Sequence, residues 1–203
     1  MKHKKKNTIQ QQEYSASVLT AWDREFMAYH EAGHAVCSYY LPERESLICI
    51  TIDPSHEAFG MIKTALRLHH NETEISFKST ISTLLAGRIA EEMFLGSKTT
   101  SCIYDLIAAR KIATDMVIKF GMGKTLGVTA LNIEEFPSIS PSLQELISKD
   151  IQDIIATAEH DAKKILQNHH TTVEKLAQQL LFCGTLNNTT ITEFFDKMQN
   201  YEI

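Results

Sequence analysis

Two histidines and a glutamate carry more chemistry than any other cluster in this chain. His30-Glu31-Ala32-Gly33-His34 reads H-E-x-x-H. On a helix, side chains four residues apart project from one face, one turn apart. Both imidazoles could therefore bind a single Zn²⁺. Glu31, beside the first of them, would reach a water on that ion without being a ligand. Zinc lowers the pKa of such a water toward about 7. A carboxylate held there can take the water's proton as it attacks a carbonyl and then pass it to the leaving amine. The chemistry implied is metal-assisted hydrolysis of a peptide bond.

A catalytic zinc needs a third protein ligand and an open fourth position. Two candidates stand downstream: the pair Glu91-Glu92 and, further on, Asp105. Spacing alone does not choose between them. Other tempting residues are weaker. His69-His70 and His169-His170 are adjacent pairs, so their side chains diverge on any regular element. Cys102 reads as a small buried thiol. Gly121-Met122-Gly123-Lys124-Thr125 ends like a phosphate-binding loop, but Ile118 stands where that loop needs its first glycine, and a helical pattern leads into it. ATP binding at this segment is rejected.

The elements that must hold these groups follow from apolar periodicity. Trp22, Phe26, Tyr29, Gly33, Val36 and Tyr40 recur at spacings of three and four, predicting a helix from about Thr20 to Tyr40. Leu41-Pro42 ends it. Two extended runs, Leu47 to Ile52 and Ala58 to Leu66, predict a small sheet. A second long helix is expected from a cap at Asn71 or Thr73 to about Leu95, stopped by Gly96. A third runs from near Tyr104 to Gly121, and Gly127 to Leu131 reads as a short strand. A long helix follows over about Ser142 to Asn168, with Ser142 and Glu145 spaced as a capping box. A last helical pair covers Thr171 to Phe182 and Thr189 to Met198.

Composition narrows the classes. The 203 residues are 43% apolar and 22% charged, ordinary for a globular chain. The net charge is −5, but Lys2, Lys4, Lys5 and Lys6 crowd the N-terminus, so the rest carries −9. An acidic body argues against a nucleic-acid partner. Residues 1–18 read as a disordered basic and polar tail. No apolar run follows the lysines as a secretory signal would require, and no window of about 20 apolar residues predicts a transmembrane segment. Cys37, Cys49, Cys102 and Cys183 lack paired spacing, which fits a reducing, cytoplasmic setting.

From about Asp23 onward the chain resembles the peptidase domain of the FtsH family of ATP-dependent zinc metalloproteases. The matching segments are AYHEAGHAV (28–36), ITIDP with AFGM (50–61), LLAGRIAEEMFLG (84–96) and DLIAARKIATDMVIKFGMGKTLG (105–127), followed by AEHDAKKIL and KLAQQLL. The resemblance implies a mainly α, zincin-like domain over 19–203, with a small β-sheet and a helical C-terminal subregion at 139–203. It implies His30, His34 and Asp105 as Zn²⁺ ligands, Glu31 as the catalytic base, and Glu91 and Glu92 as supporting carboxylates. In this fold class an edge strand beside the zinc can hold an extended peptide, which nominates Ala58, Phe59, Gly60 and Met61 for substrate binding. One segment departs from the family. Where relatives carry a loop of the type S-T-G-A-x-N-D, this chain reads Thr99-Thr100-Ser101-Cys102-Ile103-Tyr104-Asp105, so Ser101 replaces glycine, which allows backbone shapes that serine does not.

The expected function is zinc-dependent endopeptidase activity on flexible or unfolded polypeptide, by a chain without its own ATPase module. A homo-oligomer, or an ATPase supplied in trans, is the expected partner. The alternative is a catalytically silent scaffold or regulator that binds full-length family members.

Overall fold

The computed structural model describes residues 19–42, 46–53, 60–64, 71–131, 134 and 138–201. The N-terminal tail, His69-His70, Ala58 and Phe59 lie outside the described residues. Among the described residues, six helices and three short strands make a mainly α fold with a small antiparallel sheet: α1 (Ala21–Tyr40), β1 (Leu47–Thr51), β2 (Met61–Thr64), α2 (Glu74–Leu95), a 3-10 turn (Thr100–Cys102), α3 (Ile103–Ile118), α4 (Pro141–Asn168), α5 (His170–Cys183), β3 (Thr185–Asn187) and α6 (Asn188–Tyr201).

The long helices begin and end where their side chains satisfy free backbone groups. Thr20 caps α1 in a full capping box with Asp23, and Leu41 closes it in an extended conformation. Thr73 caps α2, and Gly96 ends it at φ +69°, the left-handed turn that glycine adopts without cost. The start of α4 differs from the capping box expected at Ser142. Ser140 accepts from the Leu143 N–H, and Pro141 occupies the first turn, where a missing N–H does no harm.

Packing is organised around α1 and α2, which lie against each other along much of their length. They approach closely because small residues face one another. A methyl on Gly33 would lie 2.6 Å from Ala90 Cβ and 2.7 Å from the Ala86 carbonyl oxygen. Helix α5 covers α1 from a second side, while α3 and α4 flank α2. One apolar cluster runs through these helices to the sheet and α6; Ile50, Ile81, Leu85, Leu166, Leu176 and Leu180 are among its buried members. Each contributes roughly 1.5–3 kcal/mol by leaving water.

The sheet has strand order β2-β1-β3, antiparallel throughout. Ile50 pairs with Ile62 on one side and Leu186 on the other. Residues 127–131, expected as a strand, are not one. Val128 is fully exposed with no partner strand among the described residues, and the segment is tied back instead by the Leu131 N–H to the Ile118 carbonyl at 2.7 Å. The third strand comes from the turn between α5 and α6. In the Gly121–Thr125 turn, the Thr125 N–H and hydroxyl both donate to the buried Asp150 carboxylate at 2.7 Å. These donors are turned toward the protein and not toward a phosphate.

Candidate metal centre

His30 and His34 stand one turn apart near the middle of α1, both buried, with their ring centroids 4.5 Å apart and nearly perpendicular. Their Nε2 atoms are 2.9 Å apart. The Asp105 carboxylate, in the first turn of α3, brings Oδ2 to 3.3 Å from His30 Nε2 and 3.4 Å from His34 Nε2. Three donors on a tetrahedral zinc at 2.0–2.1 Å would lie about 3.3 Å from one another. The triangle therefore has the dimensions of a zinc site.

The other ring nitrogens explain why these three atoms can face one another. His34 Nδ1 donates to the Thr83 carbonyl of α2 at 2.6 Å. His30 Nδ1 donates to Glu91 Oε1 at 2.7 Å. With protons held on both Nδ1 atoms, both Nε2 lone pairs point at each other and at a carboxylate. Three acceptors so close are repulsive unless a positive charge sits among them. The donor set, two imidazoles and one carboxylate, is one that zinc accepts.

The electrostatics agree. Burial would depress the His30 pKa, but the Asp105 and Glu91 carboxylates outweigh it and push the pKa up to about 9. Burial raises Asp105, yet its bonds to His30 and His34 hold it well below the usual carboxylate range. The N-terminal position of Asp105 on α3 also favours its negative charge. Glu31 moves the other way. Burial raises its pKa, and the nearby histidines offset this only in part. A carboxylate raised in this way is better matched to carrying a proton near neutrality.

Glu91 and Glu92, the alternative donors, are turned elsewhere. Glu91 is fully buried but spends Oε1 on His30 Nδ1, the far side of the ring from the triangle. Glu92 is largely exposed and pairs with Lys98 at 2.8 Å. Gly60 does approach the cluster: a methyl there would collide with the Glu31 carboxylate. Met61, the next residue, opens β2, which lies at an edge of the sheet. His169 and His170 diverge, the first stacking on Tyr40 and the second tilted against Phe94.

Gly87 was not anticipated. It sits in mid-α2 beneath both rings, and a methyl there would lie 2.6 Å from His34 Nε2 and 2.8 Å from His30 Nε2. Glycine in a helix interior costs about 1 kcal/mol relative to alanine, so its presence inside LLAGRIAEEMFL was the available signal. Thr83, Thr99 and Ser101 also escaped notice as supports: the partner of Thr83 is 49 residues away, and the bonds of Thr99 and Ser101 to Glu91 form only where the chain turns between α2 and α3.

A cleft of about 670 Å³ lies against another part of α2, lined in part by Ile89, Glu92, Met93, Lys163 and His170. None of His30, Glu31, His34 or Asp105 lines it. Its carboxylates Glu92 and Glu159 pair with Lys98 and Arg88, and among the described residues His30, His34 and Asp105 are the one group of potential metal donors that converges.

Comparison with known proteins points the same way. The model of peptidase family M41 matches residues 17–194. The ATP-dependent zinc metalloprotease FtsH of Marinobacter nauticus is 32% identical over 196 residues, covering 91% of this chain and 31% of the relative. FtsH of Thermobaculum terrenum is 33% identical over 188 residues, covering 87% and 29%. The mouse ATP-dependent zinc metalloprotease YME1L1 is 33% identical over 163 residues, covering 79% and 22%. The chain thus spans under a third of the length of these relatives. A match over most of its residues, in a fold that gathers two histidines and an aspartate around one point, assigns this chain to peptidase family M41.

Proposed function

We propose that this chain is a zinc-dependent metalloendopeptidase, with His30, His34 and Asp105 as metal ligands and Glu31 as general base. One observation supports the reading above all others: three atoms of metal-ligand type, two imidazole Nε2 and one carboxylate oxygen, converge at 2.9–3.4 Å, with the Nδ1 of each imidazole bonded to an acceptor behind it. A bound zinc ion supplies a Lewis acid that polarises the scissile carbonyl and acidifies water. The protein's own groups do the rest. Glu31 takes the proton from the attacking water and returns it to the departing amine. Burial raises its pKa in the metal-free protein, the direction that favours holding a proton between the two steps. Glu91 and the Thr83 carbonyl hold a proton on each Nδ1, so that a cation would take Nε2, in place of the proton that the carboxylates otherwise favour on His30.

Polypeptide substrate would lie along β2, where main-chain bonding to an edge strand recognises an extended backbone regardless of side chains. Gly60 would let that backbone pass close to Glu31, and Met61 would begin the strand. The neighbouring Ala58 and Phe59 belong to the same proposed subsite. Such recognition requires a flexible or unfolded segment, presented as such or delivered by an ATPase acting in trans, in a homo-oligomer or with a partner. Among the described residues no helix is long and apolar enough to cross a membrane. The four free cysteines favour a reducing, cytoplasmic setting.

The test is cleavage of casein by the zinc-loaded chain beside Glu31→Gln. The variant should keep about one zinc per chain and lose at least about 100-fold in rate. Equal inertness of both proteins, each with metal bound, would favour the scaffold reading.

A further inference from the structure

We infer that Ser101 is a positioning residue for the metal centre: its hydroxyl anchors the Glu91 carboxylate that orients His30. This rests on the zinc reading given above. Glu91 is wholly buried, so its charge must be met by donors inside the protein. Oε1 receives His30 Nδ1–H at 2.7 Å, the Ser101 hydroxyl at 2.8 Å and the Thr99 hydroxyl at 3.2 Å. Oε2 receives the Thr99 N–H at 2.6 Å.

The Thr99 and Ser101 hydroxyl oxygens are themselves 2.7 Å apart. Each hydroxyl has one proton to give. The shorter contacts define the better arrangement: Thr99 O–H to Ser101 Oγ, then Ser101 O–H to Glu91 Oε1. In such a chain each bond polarises the next. Ser101 is then the direct side-chain donor, and Thr99 reinforces it. Without Ser101, the Thr99 hydroxyl can turn to Glu91 only across 3.2 Å. A carboxylate so loosened allows the His30 ring to turn, which moves Nε2 away from the point it shares with His34 and Asp105.

The departure of this segment from the S-T-G-A-x-N-D pattern fits the same account. Residues 100–102 form a 3-10 turn, whose negative φ angles serine adopts as easily as any residue. A glycine at position 101 would contribute no donor. Here the side chain adds a direct bond to the carboxylate behind the metal site.

The test compares the full chain with Ser101→Ala, Ser101→Thr, Thr99→Val and the Thr99→Val/Ser101→Ala double variant. Zinc affinity is read by competition with a chromophoric chelator, and ligand geometry by the visible spectrum of the Co²⁺-substituted protein. Melting of the metal-free chain is the control. Ser101→Ala should bind zinc about tenfold more weakly, with a changed cobalt spectrum and a metal-free melting temperature lowered only slightly, as the loss of one hydrogen bond to a buried carboxylate requires. Ser101→Thr, which keeps the hydroxyl, should recover most of the affinity. The double variant should lose more than the product of the single losses, because Thr99 stands in only once Ser101 is gone. Wild-type affinity and spectrum in Ser101→Ala would overturn the inference. So would weaker zinc binding with a wild-type cobalt spectrum, which would make Ser101 a fold residue only. A wild-type chain that takes up no stoichiometric zinc would defeat the metal reading itself, and this inference with it.

Discussion

Replacing Gly87 with alanine adds one methyl group and should separate metal binding from folding. The new Cβ would lie 2.6 Å from His34 Nε2, 2.7 Å from His30 Cε1 and 2.8 Å from His30 Nε2. Ordinary contact needs about 3.5 Å, so each overlap is roughly 0.7–0.9 Å. Helix α2 cannot retreat to relieve it without disturbing the Gly33 contact with Ala86 and Ala90. The imidazoles must move instead, by a distance large beside the tolerance of a zinc site, about 0.2 Å. Zinc affinity should fall at least about 100-fold, or about 2.7 kcal/mol. Stability without metal should fall by no more than about 2 kcal/mol, because alanine gains about 1 kcal/mol in helix propensity against an overpacking cost of about 1–3 kcal/mol. Chelator competition and urea unfolding of the metal-stripped proteins measure the two quantities separately. Affinity within about threefold of wild type would refute the reasoning, since the space beneath the two rings would then not be the metal's.

Asp105→Ala removes one corner of the donor triangle and should abolish stoichiometric zinc binding at micromolar metal, as read by metal analysis after dialysis; unchanged zinc content would exclude Asp105 as a ligand. Zinc at about 100 times its dissociation constant should stabilise the stripped chain by about 2.7 kcal/mol, visible as a raised melting temperature that is absent in His34→Ala. Thr20→Ala should cost about 1 kcal/mol in urea unfolding, by breaking the capping box of α1, while leaving zinc affinity unchanged.

Much of this molecule was legible locally. A helix through His30 and His34 follows from the three-and-four spacing of its apolar residues, and its end from Leu41-Pro42. The extent of α2 follows in the same way from Thr73 and Gly96. Local signals misled where a neighbour decided the outcome. Ser140 with Pro141 caps α4 in preference to Ser142. The β-prone run 127–131 finds no strand to pair with, while the unremarkable Thr185–Asn187 gains one in β1. A strand is made by its partner as much as by its residues.

The chain's own order therefore determined that two imidazoles share one helical face with a carboxylate between them in sequence, because that geometry is set within a single turn. It could not determine which distant carboxylate would stand beside them. Asp105 and Glu91 are both within reach on sequence separation, and only the packing of α3 and α2 around α1 puts one 3.3 Å from His30 Nε2 and the other on Nδ1. The same packing gave Gly87 and Ser101 their proposed roles, since space under a ring and a hydroxyl behind a carboxylate exist only once separate elements meet.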